Sequence, residues 1–597
     1  MVDRFRRDPG VALLLLALAL TITIYAPTLG RGLVNYDDPW LFQENWILQH
    51  PSWSSLHTIL FDLSSPRRFV LTPEYLPVRD LSVMLDFLVW SDWYPGFHLT
   101  TLVIYLLSIA VWFAALDGFG IDRKIAGLCV LLWAVHPSHA ESVAWLSERK
   151  GVLAMMFAGL CALAFARFRA GRSARWLVLA VLAAVCAVWS KAPGAFAVAA
   201  LVGIEVALPA RRVSWRRSLT GLGAIGFVAG LAFVPVMMLA SQASVVGLDV
   251  HAPAGRLELV LGVHGFYLRS SAMAIRNAVS YPISTSGPSA LELVLGGVGL
   301  VALTALAIVP RRGAWSPPPE ARAGAIIWLF GWLPIGHAIL PLQMVLVADR
   351  YLLFPTLGLM LLLAAGLARI PGTVARRALI GTIVIAAMFR TLDAQSSWSE
   401  PATLWERAVT SNPEDGSAWA MYVETLVTEA RDGGDPAPIQ AVVEEGLRHT
   451  RSPRLLHRQA LLVLPQDRPR GVALMREAAE GGEPIAMSNL ALLLLEDRQA
   501  GEALRWARAG ASARPNAHAQ RTLGKVALAA GQPAEALDAF EHAYELEPAS
   551  CANRLNLGLA LVALHRTGEV AAYVERCADD PKLGPRARSL LDQAHAR

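Results

Sequence analysis

Residues 11–28 read VALLLLALALTITIYAPT, a run without a single charge, and lead within a few residues to Leu33-Val34-Asn35-Tyr36-Asp37-Asp38-Pro39. A helix needs about 20 apolar residues to cross a bilayer, so the first stretch reads as a membrane span. The second then opens a polar, aromatic-rich loop just outside the membrane, at residues 30–96. Arg4, Arg6 and Arg7 precede the apolar run as in a signal peptide. The run lacks a small-residue cleavage site, however, and passes into Leu29-Gly30-Arg31, which predicts an uncleaved anchor with a cytoplasmic N-terminus. Asp37 and Asp38 are adjacent carboxylates at a low-dielectric boundary. There they are costly unless paired, metal-bound or used to take up a proton. The plainer alternative is a helix cap, because Asp before Pro commonly starts a helix.

The rest of the chain extends the first reading. The 597 residues are 54% hydrophobic and 17% charged, which excludes a single soluble domain, and nearly all the long apolar runs lie before residue 392. The composition divides the chain into a multi-span domain, 1–392, and a charged, Ala-rich helical domain, 393–597. Further apolar segments fall at 97–116, 124–136, 151–168, 175–190, 193–208, 219–240, 289–309, 323–341, 352–369 and 377–391. With the first they make about eleven, several of them short. Arginines and lysines concentrate in alternate loops: Arg123 and Lys124, then Arg167 to Arg175, Arg211 to Arg217, Arg311 to Arg322, and Arg369 to Arg377. This positive-inside bias makes those loops cytoplasmic. An odd number of crossings then places the 30–96 loop and the C-terminal domain outside. Leu257 to Ser280 would invert that order if it crossed, and its Glu258, His264, Arg269 and Arg276 predict an amphipathic or re-entrant helix instead. A net charge of +5 is small for this length and gives no sign of nucleic-acid binding. The five cysteines have no metal-ligand spacing, and neither a zinc site nor a disulfide framework is expected.

On this topology the unusual polar residues collect on the outer side. His98 opens the second span, and His136-Pro137-Ser138-His139-Ala140-Glu141 followed by Arg149-Lys150 fills the second outer loop. Lys191 lies in Ser190-Lys191-Ala192-Pro193-Gly194, and Asp349-Arg350-Tyr351 begins a later span. Each has a structural explanation on its own: a helix end at Pro137, a snorkelling Lys191, an Asp349–Arg350 ion pair. Gathered on one face, they match a site at the outer mouth of a membrane domain.

The Asn-Tyr-Asp-Asp loop is followed by Val78-Arg79-Asp80-Leu81-Ser82-Val83-Met84-Leu85-Asp86 and by Gly96-Phe97-His98-Leu99-Thr100. Ala134-Val135-His136-Pro137-Ser138-His139-Ala140-Glu141-Ser142-Val143-Ala144-Trp145 through Glu148-Arg149-Lys150 comes next, and then Ala348-Asp349-Arg350-Tyr351-Leu352-Leu353-Phe354-Pro355. In this order the chain resembles the membrane proteins with C-terminal tetratricopeptide repeats related to protein O-mannosyltransferases, within the GT-C class of glycosyltransferases. The resemblance covers nearly the whole chain. It implies an all-α fold, a GT-C membrane domain of about eleven spans followed by a repeat solenoid, and transfer of a sugar from a polyprenyl-phosphate carrier. The chain departs from the family pattern at Asp80, where a proline is usual, at Tyr105, where a histidine is frequent, and at Ala192, where an acidic residue follows the lysine.

The chemistry of such a transfer fits these residue types. It builds positive charge at the sugar carbon, frees a phosphate and removes the acceptor's proton. Asp37 is the expected base, with Asp38 its partner or orienting group. Arg149, Lys150, Lys191, Arg269 and Arg350 are candidates to hold the phosphate. His98, His136, His139, Glu141, Asp349 and Tyr351 complete the expected substrate-binding set. The donor carries one phosphate, so fixed cations suffice, and neither a metal nor another cofactor is expected. In a bacterium the protein would lie in the inner membrane.

In the last third, Leu523-Gly524 recurs at Leu557-Gly558, and Gly531 with Ala536 is followed by Pro548. That spacing of about 34 residues is the tetratricopeptide pattern of paired helices. A third copy carries Asn489-Leu490, Ala503-Leu504 and Pro515, and a degenerate one starts near Trp405 and Pro413. The concave face of such a solenoid suits an extended peptide or protein, here an acceptor or partner. The competing function is a non-catalytic membrane scaffold built around the repeats, but a scaffold has no need for His, Asp and Arg motifs on one face. A transporter ranks third, because the charges sit at span ends rather than mid-bilayer.

Overall fold

The computed structural model describes residues 8–595 apart from 64–69, 72–73, 209–213, 243–254, 274, 310–316, 340–344, 434 and 436. Arg4, Arg6, Arg7, Arg211, Arg212, Arg311 and Arg312, used above to orient the spans, lie outside the described residues. Among the described residues the chain is helical without strands. It divides into two compact units, Met1–Asn412 and Pro413–Arg597. The division falls later than residue 392 because the helix Thr373–Ser396 runs through that position. The next helix, Pro401–Ser411, belongs to the first unit.

Each apolar segment forms a helix. Among the described residues six are long and apolar enough to cross a membrane: Pro9–Gly30, Tyr94–Gly118, Leu146–Arg169, Trp215–Leu239, Ala290–Ile308 and Thr373–Ser396. The rest are shorter. Arg123–Ala134, Gly194–Ala207, Pro319–Trp332 and Pro355–Leu367 have 12 to 14 residues. At ~1.5 Å per residue such helices reach only about 20 Å. Arg256–Ser271 forms a helix of 16 residues against Ala290–Ile308. The chain leaves it before Asn277 and Tyr281, so Leu257 to Ser280 is not one continuous helix.

Caps and small residues set the packing. Asp8 accepts from the Gly10 and Val11 amides at 2.9 and 3.3 Å, starting the first span at Pro9, and pairs with Arg123 at 2.7 Å. Gly10 and Gly127 let that span touch the 123–134 helix backbone to backbone; a Cβ on either would strike the backbone of the other helix. Two of the buried indoles find backbone acceptors: Trp112 Nε1 donates to the Met155 carbonyl at 3.0 Å and Trp133 Nε1 to the Leu353 carbonyl at 2.9 Å. A buried N–H left without an acceptor would cost a few kcal/mol.

The second unit is a stack of helical pairs from Gly416–Arg431 to Gly584–His595. Gly524 and Gly558 recur where Phe540 and where Val574 and Leu590 press against the backbone, which is the physical reason for the repeated Leu-Gly. Successive pairs are linked by side chains: Arg458 to Glu424, Asn489 to His457, and Arg521 to Asn553. One expectation fails here. Cys551 and Cys577 form a disulfide across 26 residues with a Cα separation of 5.5 Å. The chain turns back after the helix Cys551–Ala563 and returns through Val570–Val574, bringing together cysteines whose linear spacing suggests nothing.

Candidate functional site

The Asn-Tyr-Asp-Asp loop is gripped from several sides. Asp38 is buried and both its oxygens are taken: Oδ2 accepts from the Val34 amide at 3.0 Å, and Oδ1 accepts from the Ser147 amide at 3.1 Å and the Ser147 hydroxyl at 2.5 Å. Burial lifts its pKa to about 6 despite these donors. Tyr36 stacks on Trp145 with centroids 4.9 Å apart, and Trp145 stacks on Trp398 at 5.2 Å. His98, buried at the start of its span, lies beside the Gly32 backbone. Asp37 is different. It is partly exposed, and among the described residues its carboxylate has neither a hydrogen bond nor an ion pair. Burial raises its pKa, while Lys150 and Arg350 pull it down and Glu74 and Glu148 push it up. Asp37 does not cap a helix with its side chain, since Asp38 precedes Pro39 and no side-chain cap bond forms there.

Three of the proposed cations come together. Arg350 binds Glu141 twice, its backbone amide donating to Oε2 at 2.8 Å and its guanidinium pairing with Oε1. Its Nε lies 4.0 Å from Glu148 Oε2. Lys191 pairs with the other oxygen of Glu148. Lys150 pairs with Glu74 at 2.8 Å. Burial pushes the Glu74 carboxyl up, but Lys150, Arg79 and Lys191 prevail and hold it at about 2. Lys191 and Arg350 lie 5.4 and 5.2 Å from the centre of the Tyr351 ring, which fixes both by cation–π attraction. Lys191, Arg350 and Tyr351 form the polar part of an open cleft; the rest of its wall is apolar, with Met155, Ala197, Ile335 and Phe354.

Other expected residues lie elsewhere. Arg149 is fully buried and its donors go to Asp86 at 2.5 Å, Thr101 at 2.9 Å and the Phe97 carbonyl at 2.7 Å. Successive helix residues point about 100° apart, which sends Lys150 to Glu74 and Arg149 to Asp86. Arg269 pairs with Glu292 at 2.7 Å, away from the cleft. His136 bonds Ser138 Oγ at 2.8 Å and the Ser271 carbonyl at 2.9 Å, and His139 bonds Tyr105 OH and Thr356 Oγ1, both at 2.8 Å. Every ring nitrogen of these two is engaged, and burial pushes the His136 pKa down to about 4. Tyr105, one of the departures, thus supplies a phenolic partner to His139; Asp80, another, pairs with Arg79 at 2.5 Å.

Asp349 is not the partner of Arg350. It accepts from Ser270 Oγ at 3.0 Å, Asn277 Nδ2 at 2.8 Å and Tyr281 OH at 2.6 Å. Burial raises its pKa to about 7. A second, smaller cavity of about 200 Å³ borders Glu141, Asn277, Asp349, Ser397 and Trp398. Glu74, Ser147 and Glu148 are the residues that sequence reasoning missed. Glu148 stands in the quoted Glu148-Arg149-Lys150 stretch and could have been weighed there; Glu74 and Ser147 belong to no motif.

No protein-family model matches the chain, and no curated protein matches it. Among solved structures, it is similar to the Archaeoglobus fulgidus oligosaccharyltransferase tethered with an acceptor peptide containing the NVT sequon. That likeness has a TM-score of 0.39 and 15% identity, covering 70% of this chain and 59% of that one. It is also similar to the APC/C hetero-tetramer Cut9–Hcn1, with a TM-score of 0.27 and 11% identity, covering 91% of this chain and 99% of that one. The chain therefore spans about 59% of the length of the oligosaccharyltransferase it resembles, and both likenesses are distant.

Proposed function

We propose that the protein is a glycosyltransferase of the GT-C type that moves a sugar from a polyprenyl-phosphate carrier to an acceptor hydroxyl, on a protein, at the outer face of the membrane. One observation carries the reading: among the described residues Asp37 is a carboxylate without a partner, it follows Tyr36, which stacks on the same Trp145 ring that Arg350 approaches at 5.5 Å, and Arg350 with Lys191 forms the charged part of an otherwise apolar cleft. An amphiphile with a phosphate head and a hydrocarbon tail has this polarity pattern.

In the proposed reaction the bond from the sugar's anomeric carbon to the carrier phosphate breaks as the acceptor oxygen bonds to that carbon. The acceptor's proton passes to Asp37, and the phosphate leaves with both electrons of the broken bond, onto Lys191 and Arg350. Each of these cations is already held by a carboxylate, which presets its position. An ammonium has three N–H donors and a guanidinium five, so donors remain for the phosphate. Fixed cations then stabilise the leaving charge without reorganising, and no metal is invoked. Burial raises the basicity of Asp37, in the direction a general base requires.

We further propose eleven crossings, a cytoplasmic N-terminus and a repeat domain on the outer side, in the inner membrane if the cell is bacterial. The Cys551–Cys577 disulfide supports the outer placement, because disulfides persist in oxidising compartments. The repeats would hold the protein acceptor or a partner.

The test is transfer from a radiolabelled polyprenyl-phosphate sugar to peptide by the purified protein in detergent. Product formation that requires Asp37 is the expected result. Failure to bind or turn over any polyprenyl-phosphate sugar would leave the non-catalytic scaffold in its place.

A further inference from the structure

The helix Pro401–Ser411 contributes nothing to the wall of the cleft, yet it is tied to both halves of the candidate site. At one point Trp405, buried, donates its indole N–H to Asn35 Oδ1 at 2.7 Å and sets its ring edge-on to Tyr36 at 5.5 Å. Those two residues immediately precede Asp37. At the other, the C-cap Asn412, also buried, donates to Ser280 Oγ at 3.0 Å and to the Tyr281 carbonyl at 3.1 Å, and accepts from Thr285 Oγ1 at 3.0 Å. Tyr281 in turn donates to Asp349, the residue before Arg350. Between the two points Arg407 fastens the helix to the Asp393 carbonyl at 2.6 Å and its carboxylate at 3.0 Å. Seven residues of helix separate the two attachments by about 10 Å along the axis, a length that a hydrogen-bonded helix does not easily change.

We propose that this helix is a strap that sets the separation between the Asp37 carboxylate and Arg350, with Trp405 and Asn412 as positioning residues. The inference rests on the transferase reading for its kinetic consequence, though not for its structural one. Proton removal and phosphate departure occur in one step, so their two groups must be held at a fixed spacing; misplacement by about 1 Å costs up to about 100-fold in rate. The strap holds the base end through Asn35 and Tyr36 and the phosphate end through Tyr281 and Asp349. Because it is the last helix before Pro413, displacing it would move both ends together.

Trp405→Phe keeps a ring against Tyr36 and removes only the indole N–H. It should lower kcat about tenfold with donor KM changed less than twofold. Trp405→Phe added to Asn35→Ala should be no worse than Asn35→Ala alone, because the shared bond is already gone. Asn412→Ala acts at the phosphate end and should raise donor KM more than it lowers kcat. Hydrogen exchange of the purified wild type and variants supplies a readout independent of activity: 33–41 should exchange faster in Trp405→Phe only, and 277–283 with 345–352 faster in Asn412→Ala only. Identical kinetic changes in the two variants, or exchange that rises uniformly or not at all, would overturn the strap. Should the wild type transfer no sugar, the transferase reading falls, while localised exchange would still support the strap and uniform exchange would still remove it.

Discussion

Asp37 and Asp38 differ by one position and are treated oppositely by the fold. Asp38 takes three donors and shares in holding the loop; Asp37 takes none. Asp37→Asn preserves size and removes basicity, so turnover should fall by ~10²–10⁴-fold while donor affinity and thermal stability stay near wild type. Transfer and donor-binding assays on one preparation check this, and wild-type turnover would move the base elsewhere. Asp38→Asn turns an amide N–H toward donors that need an acceptor, which should destabilise by about 1–3 kcal/mol. Its pH dependence has a definite sign. Burial puts the folded-state pKa at about 6, above the ordinary 3.8, so the folded state holds the proton more tightly. The contribution of Asp38 to stability is therefore most favourable below about pH 4, and it declines as pH rises from about 4 to about 6. Unfolding curves across that range should flatten in Asp38→Asn. Arg350→Lys keeps the charge needed by Glu141 but loses the planar fork, so the protein should fold while donor binding weakens about tenfold. Equal donor affinity in wild type and Arg350→Lys would take Arg350 out of the phosphate grip.

Among the elements, the short helices explain why apolar length and helix length diverge. Gly324 and Gly358 bring the 319–332 and 355–367 helices into backbone contact, so neither is a free-standing span; each completes its environment from the other. In the repeat unit the Cys551–Cys577 link closes a loop of 26 residues around the last helical pair. Replacing Cys577 with Ser should remove about 2–4 kcal/mol of stability from that end. The unfolding transition of the repeat unit should then drop to the value that reductant produces in the wild type. If reductant and Cys577→Ser both leave the transition unmoved, the link contributes nothing.

For the whole molecule the central prediction is orientation. A single cysteine replacing the exposed Ser512 should react with a membrane-impermeant thiol reagent from the outer side of intact cells or spheroplasts, as should one near the 30–96 loop. Labelling of both places the candidate site and the repeats on one side of the membrane. Labelling of the loop site alone would require an even number of crossings, and some of the short helices would then be re-entrant rather than spanning.

How much of this was legible in advance follows the range of the interactions. Every apolar run was found as a helix because hydropathy acts locally, along one segment, and the repeat spacing was legible because each pair repeats the same Leu-Gly contact. The polar side chains were located by type but not by direction. Lys150 and Arg149 are neighbours in sequence and part ways at the helix surface; Asp349 and Arg350 are neighbours and bind different partners, Tyr281 and Glu141. Glu74, Ser147 and Asn412 belong to no motif, Trp405 was read only as the start of a degenerate repeat, and all four gain their roles from residues tens to hundreds of positions away. The sequence by itself determined that the chain is an apolar many-helix unit followed by a unit of repeated helical pairs, because burial of apolar surface depends on composition and period. Only the tertiary structure decided which of the charged residues meet, because the partner that neutralises a buried charge is chosen by packing in three dimensions and leaves no periodic trace along the chain.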